Sequence, residues 1–96
     1  MNDKELYQQK KQAQLDEWKA EVDKLKAQAS EASADAKLEM NKQIEELESR
    51  IEEGRAKLSE IAETSEDAWE SIKEGMEDSW VSITAAFSEA KSKFEK

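Results

Sequence analysis

The residues best able to do chemistry in this chain are carboxylates. Glu66, Glu70, Glu74 and Asp78 stand four apart, flanked by Glu63, Asp67 and Glu77. On a helix that spacing makes one acidic row, which attracts divalent cations only weakly. A calcium site needs oxygens converging from several directions, usually on a loop, and a straight helix does not bring them together. The row is therefore expected to be a solvated acidic face, with no metal ligands and no cofactor. Histidine and cysteine are both absent. That removes the commonest general acid–base, the usual nucleophile–base pairs and the usual zinc ligands. There is no glycine-rich phosphate loop. No catalytic residue is assigned, and the chain is expected not to be an enzyme.

The aromatic residues say more. Trp69, Trp80, Phe87 and Phe94 lie in the last third, interleaved with Ile72, Met76, Val81, Ile83 and Ala86. At helical spacing, Trp69, Ile72, Met76, Trp80, Ile83, Phe87 and Phe94 form one broad apolar face. The expected role of that face is packing against residues 15–61 or a second chain. A lipid surface is the less favoured alternative, because the polar side of residues 60–89 is strongly acidic with only Lys73 opposing it. Interfacial helices carry Lys and Arg there. Trp18 is a third tryptophan on the same kind of stripe and marks a specific contact.

These side chains are positioned by a stripe that runs most of the chain. Leu15, Trp18, Val22, Leu25, Ala29, Ala32, Ala36, Met40, Ile44, Leu47, Ile51, Leu58 and Ile61 follow one another largely in steps of three and four. That is the spacing of one helix face. A narrow stripe on a charged helix must meet another helix. Leu15, Trp18, Val22, Leu25, Met40, Ile44, Leu47, Ile51, Leu58 and Ile61 are the expected helix–helix interface. The chain has 96 residues, no proline and two glycines, with 41% charged and 36% hydrophobic residues. One domain is the limit, and the apolar supply suits a seam between helices.

The expected fold is all-α and elongated: a helix over about 3–62, a break near 63–66 and an amphipathic helix over about 66–94. Asn2 or Asp3 caps the start, and Thr64 or Ser65 caps the last helix. The two helices pack as an antiparallel coiled-coil hairpin. Three successive steps of four, Ala32–Ala36–Met40–Ile44, form a stutter. Ser30–Asp35 is read as helix because it holds no glycine or proline. A turn there instead would give a three-helix bundle. Trp18 bears on that choice. A last helix of roughly 30 residues, returning from Ser65 at about 1.5 Å per residue, reaches back only to about residue 35. Either the first helix also folds near 30–35, or Trp18 meets another copy. Gly54 lies on the stripe and is read as a point of close helix approach, with a kink as the alternative.

A second periodicity competes with the break near 63–66. Leu58-Ser59-Glu60-Ile61, Trp69-Glu70-Ser71-Ile72 and Trp80-Val81-Ser82-Ile83 recur at intervals of 11 residues. That is about 3.67 residues per turn, close to a straight helix.

Gln14–Leu25 (QLDEWKAEVDKL), joined to Ser65–Gly75 (SEDAWESIKEG) and continued to Trp80, resembles a family of short bacterial coiled-coil proteins associated with stress response. The Ser-Glu-Asp-Ala-Trp…Gly…Trp pattern is its most specific part, and the resemblance spans nearly the full length. It implies a cytoplasmic, non-enzymatic protein and offers no catalytic residue. The 11-residue period is also similar to that of late-embryogenesis protectants and apolipoprotein helices. The three tryptophans depart from the first, and the acidic face departs from the second.

Net charge is −9, which opposes nucleic-acid binding. Met1–Glu5 leads into no apolar segment, so no secretory leader is expected and the cytoplasm is the expected location. The expected partner is a second copy or another helical protein, and the expected function is that of a small interaction or scaffold protein; the alternatives are a peripheral lipid- or hydrophobic-surface binder and a desiccation-type protectant.

Overall fold

A computed structural model describes residues 2–94, and among them the chain forms three α-helices and no strand. Helix α1 spans Asp3–Ser30, α2 Ala34–Glu63 and α3 Trp69–Phe94. The long helix expected over about 3–62 is thus two helices. Its end is set by local hydrogen bonding. The N–H of Glu31 returns to the carbonyl of Gln28 and that of Ala32 to Ala29, both at 3.2 Å. Ser33 then leaves helical geometry at ψ 162°, and its hydroxyl accepts from the N–H of Ala36 at 3.4 Å. A serine N-cap followed by Asp35 in the first turn is a sufficient helix start without glycine or proline.

The second connection covers 64–68, so α3 starts at Trp69 and not near residue 66. Thr64 is extended, and its hydroxyl donates to the carbonyl of Glu60 at 2.6 Å. The Ser65 carbonyl then accepts from the N–H groups of both Ala68 and Trp69. This turn interrupts the 11-residue period. At the start of the chain Asn2 is the N-cap, with Oδ1 accepting from Glu5 N–H at 2.8 Å.

Successive helices run antiparallel, so α1 and α3 are parallel to one another. The molecule measures 51 × 20 × 17 Å. An unbroken 61-residue helix alone would extend about 90 Å. Helix α2 is central: its backbone packs closely against both neighbours, whereas α1 and α3 meet mostly through long side chains. The core is one cluster. It takes Leu15, Val22, Leu25 and Ala29 from α1, then Ile44, Leu47, Ile51, Leu58 and Ile61 from α2. Helix α3 adds Trp69, Met76, Trp80, Ile83, Phe87 and Ala90. Trp18, Met40, Ile72 and Phe94 pack on it half-buried. The stripe leaves the interior at Ala36, which is exposed, and Val81 points outward at 68% exposure although its neighbours on α3 are buried.

At Gly54, side chains of α3 pack closely against the α2 backbone. A Cβ there would lie 3.0 Å from both Ile83 Cδ1 and Trp80 Cζ3. The close-approach reading of Gly54 therefore describes the packing, and α2 continues through it as helix.

Candidate functional site: the aromatic seam

Large and polar side chains concentrate where α1 faces α3. Tyr7, Lys11, Gln14 and Trp18 stand at steps of four, three and four along α1. They share one helix face. Trp69, Lys73, Glu77, Trp80 and Phe87 face them from α3. The rings of Tyr7 and Trp69 meet edge to face, with centroids 5.4 Å apart at 63°. Trp18 is tilted against Trp80 at 5.3 Å and stacks on Phe87 at 6.0 Å. Such aromatic pairs add about 0.5–1.5 kcal/mol each beyond the area they bury.

Lys11 lies between these rings and is only 7% exposed. Its ammonium sits 5.2 Å from the Tyr7 ring centre and 5.0 Å from that of Trp80. It donates to Glu77 Oε2 at 3.0 Å. The Tyr7 hydroxyl donates to the other oxygen, Glu77 Oε1, at 2.9 Å. One carboxylate thus holds two groups of α1. A buried ammonium is tolerable only with such a partner, and the two ring faces supply further compensation. Burial and the bond to Glu77 push the Tyr7 phenol well above its ordinary value. For Glu77, burial alone would raise the carboxyl. The hydrogen bonds from Lys11 and Tyr7, with the charges of Lys11 and Lys73, outweigh it and hold the group below its usual range. Further along, Trp80 Nε1 donates to Gln14 Oε1 at 2.6 Å. Lys11, Tyr7 and Trp80 thus each donate to an acceptor across the seam, as buried donors require. Lys73 caps the outer end, 5.2 Å from the Tyr7 ring centre and 5.6 Å from that of Trp69.

The sequence places Trp18, Trp69, Trp80 and Phe87 and misses Tyr7 and the polar members of the site. Tyr7, Lys11 and Gln14 continue the stripe backward from Leu15 in the same steps. Their signal is found only if a lysine stem and a glutamine are counted as interior groups. By its spacing Glu77 belongs with the solvated acidic face. Its side chain is about half exposed at 47%, yet its two oxygens are the hub of the seam.

The other expected residues divide as follows. Leu15, Val22, Leu25, Ile44, Leu47, Ile51, Leu58 and Ile61 are buried between helices, and Trp18 and Met40 lie at the margin. The apolar face of α3 is turned inward: Trp69, Met76, Trp80, Ile83 and Phe87 are buried, and Ile72 and Phe94 are partly so. Apart from the exposed Ala36, the stripe is covered wholly or partly within one chain. Because α1 and α2 are separate helices, Trp18 reaches Trp80 within one chain and needs no second copy to cover it. Glu66, Glu70, Glu74 and Asp78 are exposed, and among the described residues no three acidic groups converge in metal-binding geometry. No helix of the described residues is long and apolar enough to cross a membrane.

Surface grooves flank the seam. One of about 350 Å³ is lined by Tyr7, Trp69, Lys10, Lys73, Glu70 and Glu77, with both charge signs represented. A larger one of about 490 Å³, between α1 and α2, is walled by Gln8, Gln12, Arg55 and Leu58. Both are open troughs along helix pairs. Compared with protein-family models, curated proteins and solved structures, the chain matches none.

Proposed function

We propose that this chain is a non-enzymatic, cytoplasmic helical interaction protein. Its working unit is a three-helix bundle, and it acts by helix–helix association with a second copy or a helical partner. The bacterial stress-response setting implied by the family resemblance belongs to the same proposal. One observation carries the reading. The central polar groups of the seam are committed to one another: Lys11 and Tyr7 to Glu77, and Gln14 to Trp80. That arrangement holds helices together and leaves no poised base or nucleophile. A net charge of −9 sets the reading against nucleic acid.

The competing reading is a peripheral lipid-surface binder acting through the α3 face. In the closed chain that face already packs on α2 and α1, so lipid would have to displace α1. The test is tryptophan emission of dilute protein titrated with neutral and anionic vesicles, with helicity followed in parallel. Emission already blue-shifted, and unmoved by vesicles of either kind, supports the interaction protein. A further blue shift on adding vesicles replaces it with the lipid reading.

A further inference from the structure

Two of the three residues connecting α1 and α2, Glu31 and Ala32, suit a helix, and the third, Ser33, is the N-cap of α2. Glu31, Ala32 and Ser33 include no glycine or proline, and no described residue has positive φ. Glu31 sits in the right-handed region at φ −95°, ψ −5°. Ser33, at φ −64° and ψ 162°, differs from helix in ψ alone. The steps Ala29, Ala32, Ala36 and Met40 carry the stripe straight through the turn. Apart from the Ser33 cap, the local sequence is compatible with a continuous helix, and the docking of α1 onto its own α2 and α3 opposes it.

Both demands are met at once if α1 docks on a second copy. We propose that the chain forms a domain-swapped dimer in which Glu31–Ser33 straighten and each α1 occupies, on the partner chain, the position it holds in the closed chain. The seam then reforms between copies, Lys11 to Glu77 and Trp18 to Trp80, and needs no new surface. Orientation permits it. Helix α1 lies antiparallel to α2 in the closed chain, and two straightened helices related by a twofold axis place each α1 antiparallel to the partner's α2. Short hinges that work against local helical preference promote such exchange. This inference rests on the interaction-protein reading and names its partner and its interface.

Two substitutions separate the forms. Ala34→Pro suits the closed chain, because position 34 is the first helical residue and Ser33 already has the extended ψ that a following proline demands. Inside a straightened helix the same proline weakens the dimer by about 100-fold at each of the two hinges. Ser33→Ala removes the N-cap needed only by the closed form and favours the dimer by about fivefold per hinge.

The experiment is mass determination by light scattering after refolding over a range of protein concentrations. The expected result is a dimer that grows with concentration, is enriched by Ser33→Ala and is lost with Ala34→Pro at unchanged helicity. Lys26 and Glu48 pair across α1 and α2 at 2.9 Å. The isolated dimer of a Lys26→Cys, Glu48→Cys variant, treated with a short thiol cross-linker, should give covalently joined chains. Cross-links confined within single chains would overturn the swap and leave association through outer faces, with the interaction reading intact. Wild type and Ser33→Ala both monomeric at every concentration would also overturn it, while the vesicle titration still decides the broader reading. A failure of Ala34→Pro to fold leaves the cross-link to decide.

Discussion

Trp18 and Trp80 touch, with ring centres 5.3 Å apart, although 62 positions separate them in sequence. Only a chain that turns twice makes this pair within one molecule. With a single turn near 64, α3 would end beside residue 35, well short of Trp18. The pair therefore depends on the short Glu31–Ser33 turn. Trp18→Ala removes contacts with both Trp80 and Phe87 and should cost about 2–4 kcal/mol, less than a fully buried tryptophan because Trp18 lies at the margin. Trp18→Phe keeps the stacking partner of Phe87 and should recover about half of the loss. Urea unfolding of the two variants checks the order. Equal stability of Trp18→Ala and wild type would contradict the seam.

The two glycines should respond in opposite directions. Gly54→Ala gains about 1 kcal/mol of helix propensity. Its Cβ would meet Ile83 and Trp80 side chains at 3.0 Å, and overpacking at such a site costs about 1–3 kcal/mol. A net loss of about 1 kcal/mol is expected. Gly75 is open: a Cβ there has only Lys57 Nζ at 4.0 Å. Gly75→Ala should stabilise by about 0.5–1 kcal/mol. Thermal unfolding midpoints measure both, and a stabilising Gly54→Ala would refute the close approach of α2 and α3.

These cases show where the fold was legible. The interior residues from Leu15 to Phe94 follow from apolar spacing, because burial is what that spacing reports. Gly54 was readable for the same reason: a gap in the stripe at a helical position means small size is needed. The first turn was harder to read. Ser33 acts through one hydroxyl and one ψ angle, and its Ser-Ala-Asp signature is short beside a long helical pattern. The polar half of the seam was hidden because Lys11 and Glu77 look like surface residues until a parallel α1–α3 pairing puts them 3.0 Å apart.

The Lys11–Glu77 pair should behave asymmetrically. Lys11 is the buried member and Glu77 the half-exposed one, with side-chain exposures of 9% and 47%. Glu77→Ala strands an ammonium between two rings and should cost about 1–2 kcal/mol, solvent at the glutamate side limiting the loss. Lys11→Met keeps the stem, removes the desolvation penalty and should be neutral or slightly stabilising. A double-mutant cycle in urea measures the coupling. A larger loss for Lys11→Met than for Glu77→Ala would mean that the cation contributes more through the rings than its desolvation costs.

The same carboxylate sets an acid limb. Glu77 is depressed in the folded chain, so its contribution is present above the ordinary carboxylate range and fades as pH falls through the lower folded value. Tyr7 acts at the other extreme. Its folded value is raised above 10.0, so its contribution is complete below about pH 10 and declines as pH climbs beyond it, when the unfolded phenol ionises and the folded one does not. Stability measured by urea from pH 3 to pH 11 should show both limbs. Glu77→Gln should flatten the Glu77 part of the acid limb, and Tyr7→Phe should flatten the alkaline one. An alkaline limb unchanged in Tyr7→Phe would mean that the bond from Tyr7 to Glu77 contributes nothing to holding α1 on α3.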